Sequence, residues 1–373
     1  MAYFPAPIPR ALDLPLPTVR RLAEAEATLG RLAGIGRLVP NPDLLVRPYL
    51  LREALSSTRI EGTRATMAEV LESDAAGATP NADVEEVLNY VAAMQWGLQH
   101  LAKLPLSTRL LCEIHARLMA GVRGRELAPG KLRTSQNWIG APGSTVETAL
   151  FVPPPPHELA ALLSDWERFA HEECELPLLV QNALLHSQLE TIHPFLDGNG
   201  RLGRLLLVFF LVLKGRLTEP LLYLSAHLES NRRGYYDSLQ TIHETGDPIP
   251  WIELFLAAVD TQAADAATRA QAIIELRERY RQSARNIGTA NALALAEVLC
   301  ETPIVTARSI EDRLGISRPT ALRLLREMEQ QGVLSEREAG ARGQRRYLAH
   351  EMLEVVTRDA PGRAITSPRP QER

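Results

Sequence analysis

Apolar residues recur at steps of three and four through most of the first 260 positions, the pattern of helices with one buried face. Thr18–Leu32 predicts a helix within an N-terminal arm bracketed by Pro5, Pro7, Pro9, Pro15, Pro17, Pro40 and Pro42. The cluster Gly30, Gly34, Gly36 reads as a helix terminator and turn, and it lacks the Lys-Ser/Thr ending of a P-loop. From Pro48 to about Leu71, the positions Leu50, Leu51, Ala54, Leu55 and Thr58 give a helix interrupted at Gly62, with a second helix after it. Val84–Leu101, Ser107–Met119, His157–Phe169, Leu178–Ile192 and Gly200–Gly215 predict further helices. The exception is Gly130–Pro153, where Asn137-Trp138-Ile139 stands among Gly130, Gly140, Pro142 and Gly143 and is closed off by Pro153–Pro156. That pattern predicts a short hairpin or flap.

Asp260–Arg285 is polar, rich in alanine and free of breakers, which suits a connecting helix. Beyond Gly288 come three short helical stretches, Asn291–Cys300, Ser309–Leu314 and Arg318–Gln331, then two strand-like pieces joined by a Gly-rich turn within Val333–Leu348. This is a winged helix-turn-helix pattern. The expected fold class is therefore mainly α: a helical bundle with a short β-hairpin flap, plus the C-terminal winged helix. The expected divisions are a helical N-terminal region at 1–90, a core at 91–258, the connecting helix at 259–288, the winged helix at 289–350 and a disordered tail at 351–373.

Composition narrows the class without naming a function. With 373 residues, 45% hydrophobic and 23% charged, the chain is no peptide hormone, disulfide mini-protein or disordered polymer. Lys and Arg number 41 against 45 Asp and Glu, a formal charge of −4, so any nucleic-acid binding must be local. Cys112, Cys174 and Cys300 lie far apart and read as free thiols in a reducing compartment. The longest apolar run, Leu205–Leu213, is about half of the ~18 residues a spanning helix needs, and no signal peptide is visible at Met1. A cytoplasmic protein without membrane contact is expected.

The chemistry concentrates in His193-Pro194-Phe195-Leu196-Asp197-Gly198-Asn199-Gly200-Arg201-Leu202-Gly203-Arg204, between two helices. Gly198, Asn199 and Gly200 can take positive φ at little cost, so consecutive N–H groups can form an anion-binding nest at a helix start. Arg201 and Arg204, three apart in the first turn, share a face and can both reach a polyphosphate held there. Asp197 offers the single carboxylate that completes a Mg²⁺ shell with phosphate oxygens and waters. His193 carries an imidazole suited to taking a proton from an attacking hydroxyl.

This stretch resembles the signature of Fic domains, HxFx(D/E)GNGRxxR, at every specified position, and the likeness extends over roughly residues 10–255. The resemblance implies a Fic helical bundle and a protein adenylyltransferase with ATP as substrate and Mg²⁺ (or Mn²⁺) as cofactor. In that reading Gly198, Asn199, Gly200, Arg201, Leu202, Gly203 and Arg204 bind the ATP phosphates. His193 deprotonates a Ser, Thr or Tyr hydroxyl of a protein target, the chain itself included, and pyrophosphate leaves. A phosphorylating branch of the family carries Lys at the second glycine of the nest. Gly200 stands there in this chain, which favours adenylyl transfer. Gly130–Arg133 and Gln136–Gly140 resemble the family's target-docking flap, which makes Lys131, Leu132, Arg133, Asn137, Trp138 and Ile139 its residues. Asn231–Tyr236 is similar to the segment lining the base and sugar pocket, implicating Asn231, Tyr235 and Tyr236.

Ser57–Gly62 resembles the inhibitory motif (S/T)xxxE(G/N). Its implication is that Glu61, supported by Ser57, pairs with Arg204 and keeps ATP out of an in-line pose. In some family members the same Glu orients a water that removes AMP, so a bifunctional enzyme that adds and removes AMP is an alternative. A homodimer is also implied by the resemblance. In the C-terminal region Arg318, Arg323 and Arg326 face Glu327 and Glu329, and Arg337, Arg342, Arg345 and Arg346 face Glu336 and Glu338. DNA is thus a possible partner of residues 289–350, although winged helices also dimerise or dock proteins. The non-enzymatic rival is a nucleotide-sensing, DNA-binding transcription regulator, against which an intact His193 argues. A zinc hydrolase using His186 and His193 finds no support, since no HExxH pattern occurs.

Overall fold

The computed structural model describes residues 2–38, 43–76, 80–124, 126–141, 143–337 and 345–357. In chain order its helices are α1 (Leu16–Leu38), α2 (Asp43–Ile60), α3 (Met67–Ala76), α4 (Ala82–His100), α5 (Thr108–Leu118), α6 (Leu159–His171), α7 (Leu178–Ile192) and α8 (Asn199–Leu213). They continue as α9 (Ser225–Ser230), α10 (Arg232–Thr245), α11 (Ile249–Ile287), α12 (Ala290–Glu301), α13 (Ala307–Leu314), α14 (Arg318–Gln330) and α15 (His350–Thr357). Three short strands, β1 (Ile304–Thr306), β2 (Ser335–Arg337) and β3 (Arg346–Leu348), form an antiparallel sheet in the order β1-β3-β2.

The core is built around α7 and α8, whose side chains are buried on nearly every face because their sequences are apolar all round. Two of the amides inside α7 are paired: Asn182 Nδ2 donates to Leu207 O at 3.0 Å and Gln181 Nε2 to Phe169 O at 2.7 Å. Helices α2, α4 and α5 pack against α8, and α6 packs on α7. Helix α11 supports the other side of α7, where the Trp251 indole donates to Ala183 O at 2.7 Å. Helix α1 lies along α11, joined by Thr18 to Glu253 and Thr28 to Asp260.

Several boundaries differ from the sequence expectation. Helix α1 runs through Gly30, Gly34 and Gly36 instead of ending there; a Cβ at Gly36 would stand 3.0 Å from Leu221 Cδ1, so that glycine admits close approach of the segment between α8 and α9. Helix α2 starts before Pro48, which lies inside it and removes only one bond of the ladder. The expected hairpin flap is a single bridge, Ile139 to Phe151, because the intervening residues are spent in turns. The division between core and connecting helix at 258/259 falls inside the unbroken α11, where no Gly or Pro separates the two halves. Residues 351–357, expected in a disordered tail, belong to α15, which buries Met352 and Val356. Pro40, Pro42, Pro142, Glu338, Arg342 and residues 358–373 lie outside the described residues.

The C-terminal unit rests on the N-terminal helices. Helices α12 and α15 pack on α2, β1 packs on α3, and Arg346 pairs with Glu72 at 2.7 Å. Along its own length α2 is tied to α11 by Tyr49 Oη donating to Ala266 O at 2.7 Å and by Arg52 with Asp265 at 3.2 Å. Among the described residues no helix is long and apolar enough to cross a membrane.

Candidate active site

The loop from His193 to Gly198 joins α7 to α8, and its shape follows from its residues. Pro194 disfavours a helical conformation at the residue before it, and His193 ends α7 in the left-handed region at φ 49° and ψ 60°. Gly198 takes φ 77°, ψ 4° at the start of α8, where a Cβ would meet Met119 Sδ at 2.7 Å. Between these points Asn199 braces the loop: its Oδ1 accepts from Phe195 N and its Nδ2 donates to Phe195 O, both at 2.9 Å. The N–H groups of Asn199, Gly200 and Arg201 have no partner among the described residues, as expected for a helix start open to an anion.

His193 Nδ1 lies 3.1 Å from Glu190 O. A carbonyl only accepts, so Nδ1 carries the hydrogen and Nε2 keeps its lone pair. Burial pushes the His193 imidazole down to about 4, against the opposing pull of the Glu190 carbonyl, so the ring is neutral at ordinary pH. Asp197 is more exposed, its side chain 44% accessible, and its Oδ1 accepts from Gly198 N at 2.6 Å.

The two arginines do not share a target. Arg201, 4% exposed, reaches toward α4 and α5, with Glu86 Oε2 at 3.5 Å and Met119 Sδ at 3.4 Å. Arg204, 2% exposed, turns to α2: Nε donates to Ser57 Oγ at 2.8 Å, and Nη2 to Ser57 O at 2.9 Å and Glu61 Oε1 at 2.7 Å. A buried guanidinium must find a carboxylate or carbonyls: Arg201 finds Glu86 and, at 3.8 Å, Asp197 of the adjoining loop, whereas Arg204 finds Ser57 O and Glu61. Burial alone would raise the Glu61 carboxyl, but Arg204 outweighs it and holds Glu61 below the usual carboxylate range. Leu202 is fully buried and packs in the core, and its N–H donates to Gly198 O at 3.1 Å.

The flap residues divide into two kinds. Arg133 and Asn137 are buried and hold the loop: Arg133 donates to the carbonyls of His193, Pro154 and Ile192, and Asn137 Nδ2 to Phe195 O at 2.9 Å. Both therefore brace the loop in this structure. Trp138 and Ile139 are 42% and 36% exposed, Lys131 is exposed and Leu132 is half-buried against the core. The expected base pocket divides likewise. Tyr235 is buried with its hydroxyl 2.9 Å from His186 Nε2, and Asn231 caps α9 by donating to His227 O, whereas Tyr236 is 41% exposed. Burial raises the Tyr236 hydroxyl, with the charge of Glu61 adding to the rise and that of Arg204 opposing it.

Three functional neighbours escaped the sequence reading. His115, stacked on Phe195 at 3.9 Å, donates from Nε2 to Asp197 O and accepts Gly130 N–H at Nδ1, both at 2.8 Å, so one neutral ring ties the loop to the flap. Glu86 gathers Arg201, Arg123 and Thr63. Glu190 is buried beside His186 and Gly203, and burial pushes its carboxyl up to about 7. None of the three lies in the motif, and a lone His or Glu on a helix face gives no sequence signal of its partner.

Known proteins resemble this chain. The model described as Fic/DOC family N-terminal matches residues 19–99, and that described as Fic/DOC family matches residues 105–211. Protein adenylyltransferase Fic of Drosophila willistoni is 29% identical over 240 residues, 62% of this chain and 45% of that protein. Its Drosophila virilis counterpart is 32% identical over 203 residues, 52% of this chain and 38% of that protein. The chain thus spans less than half the length of these curated relatives. Among solved structures, a Fic family protein from Desulfovibrio desulfuricans G20 matches with a TM-score of 0.59 at 22% identity, covering 93% of this chain and 98% of that one. Fic-1 from C. elegans matches with a TM-score of 0.54 at 20% identity, covering 70% and 74%. These likenesses show the fold, and with the tandem domain matches the conclusion is that this chain belongs to the Fic/DOC family.

Proposed function

We propose that the chain is a protein adenylyltransferase held in check by Glu61. The observation that carries the reading is the meeting, at one helix start, of an imidazole with a free Nε2, an open set of backbone N–H groups and an arginine occupied by a carboxylate. The polyphosphate of ATP would lie on the N–H groups of Asn199, Gly200 and Arg201. His193 Nε2 takes the proton of a Ser, Thr or Tyr hydroxyl on a target protein. That oxygen bonds to the α-phosphorus, the bond from the α-phosphorus to the bridging oxygen breaks, and pyrophosphate leaves. Asp197 fits a hard divalent cation: it is one exposed carboxylate beside the phosphate site, and among the described residues no cluster of three or more ligands could hold a metal without the nucleotide. It would hold Mg²⁺ or Mn²⁺, whose charge offsets that of the phosphates.

Restraint follows from Arg204. While it donates to Glu61 and Ser57 it is unavailable to the terminal phosphate, and a misplacement of ~1 Å in such a transfer costs ~10²-fold in rate. The test uses ATP labelled at the α-phosphate with wild type, Glu61→Gly, and Glu61→Gly combined with His193→Ala. The expected result is self-labelling at least ~10-fold above wild type in the single variant and its loss in the double variant. Equal labelling of wild type and Glu61→Gly would overturn the restraint, and no label in either would overturn the transfer.

A further inference from the structure

The C-terminal unit plays no part in the site, yet it has a surface of its own. Thr306 and Ser309 form a capping box that starts α13, Gly315 at φ 61° ends it, and only Ile316 and Ser317 separate that cap from α14. Ala307 and Ile310 of α13 pack against Ala321, Leu324, Leu325 and Met328 of α14 in the buried interior, and the three-stranded sheet closes the unit. This is the helix-turn-helix geometry in which a second helix is carried outward.

The outward face of α14 is arginine-rich. Arg318, Arg323 and Arg326 are exposed and fall within about 12 Å along the axis. Arg323 has a long pair with Glu327 at 3.8 Å, while Arg318 and Arg326 have no carboxylate in ion-pair range among the described residues. The C-terminal end of the helix meets the body, where Asn286 Nδ2 donates to Gln331 Oε1 at 3.3 Å. In addition, no large apolar side chain between 289 and 357 is exposed among the described residues. A protein partner ordinarily needs an apolar or aromatic centre to its interface, and this face offers none. What it offers suits a polyanion that admits a helix into a groove about 12 Å wide.

We infer that α14 is a docking helix for duplex DNA, with Arg318, Arg323 and Arg326 contacting phosphates or base edges. This does not rest on adenylyl transfer, and it is tested without ATP. A fluorescent duplex of mixed sequence is titrated with the full chain, by anisotropy, at about 50 and about 200 mM salt. Three phosphate contacts predict an affinity loss of roughly 40-fold between those salts, and each Arg→Ala change lowers the logarithmic slope by about 1. The triple variant Arg318→Ala, Arg323→Ala, Arg326→Ala is expected to lose binding, while Arg20→Ala with Arg21→Ala, two exposed arginines on α1, keeps it. The three single variants carry the same test if the triple variant fails to fold. Absence of binding at the lower salt, or equal binding by the α14 variants and wild type, would overturn the proposal; so would preferential binding to acidic protein.

Discussion

Arg201 and Arg204 sit one turn apart on the same helix and are equally buried, yet their surroundings differ in kind. Glu86, which answers Arg201, is itself buried and also holds Arg123 at 2.7 Å and Thr63 at 2.8 Å. Glu61, which answers Arg204, projects from a turn just past the end of α2, and its side chain is 35% exposed. A carboxylate with three partners and no route to water is part of the framework. A carboxylate with one strong partner and a route to solvent can leave. Permanence is therefore decided by the partner's burial and not by the arginine.

The largest effect that would sharpen this contrast is on stability. Glu86→Ala leaves buried Arg201, among the described residues, no carboxylate but the more exposed Asp197 at 3.8 Å and is expected to cost about 3–5 kcal/mol, read from chemical denaturation. Glu61→Ala is expected to cost less than about 1 kcal/mol, since water can replace much of what a partly exposed carboxylate gives. Similar losses for the two variants would break the comparison. A smaller effect concerns pH. His115, His193 and His243 are pushed down to about 4 and His186 to about 3, all by burial, so the unfolded chain binds more protons at these positions below pH ~6.5. Glu190, pushed up to about 7, and Glu53, also raised by burial, act in the opposite sense by taking protons in the folded state. His227 is also lowered by burial, so five histidines against two carboxyls leave net destabilisation as pH falls from about 6.5 toward 4, and the urea midpoint is expected to drop between pH 7 and pH 5. The Glu61–Arg204 pair should not open over this range, because Glu61 is held below the usual carboxylate range and protonates only at lower pH. Thus self-labelling by wild type is expected to stay low at pH 5.5.

The helices that position the site were legible where one period ran without interruption. Leu178–Ile192 agrees to the residue, and α4, α5 and α8 agree within two or three at each end, because capping residues and prolines act locally. The loop chemistry was legible for the same reason: His193, Asp197 and the nest are contiguous. What stayed hidden depends on contacts between distant segments. Nothing local tells Arg201 that Glu86, 115 positions away, will stand beside it, or Arg133 and Asn137 to brace a loop some 60 positions away. Strand β1 exists only because β3 pairs with it, and three residues carry too little pattern to announce a strand. Gly36 lies inside a helix because Leu221 presses against it, a tertiary fact that overrides the usual reading of glycine as a breaker.

Helix α2 touches two territories. Its C-terminal turn delivers Ser57 and leads into Glu61, and its flank is the surface on which α12 and α15 rest. At 18 residues it is a rod about 27 Å long, stiff enough that a shift at one side is felt at the other. Linkage then makes influence through this rod symmetrical: if a ligand of the C-terminal unit moves α2 and alters nucleotide affinity by some factor, nucleotide must alter that ligand's affinity by the same factor. Measuring either affinity in the presence of the other ligand would read the coupling from both ends.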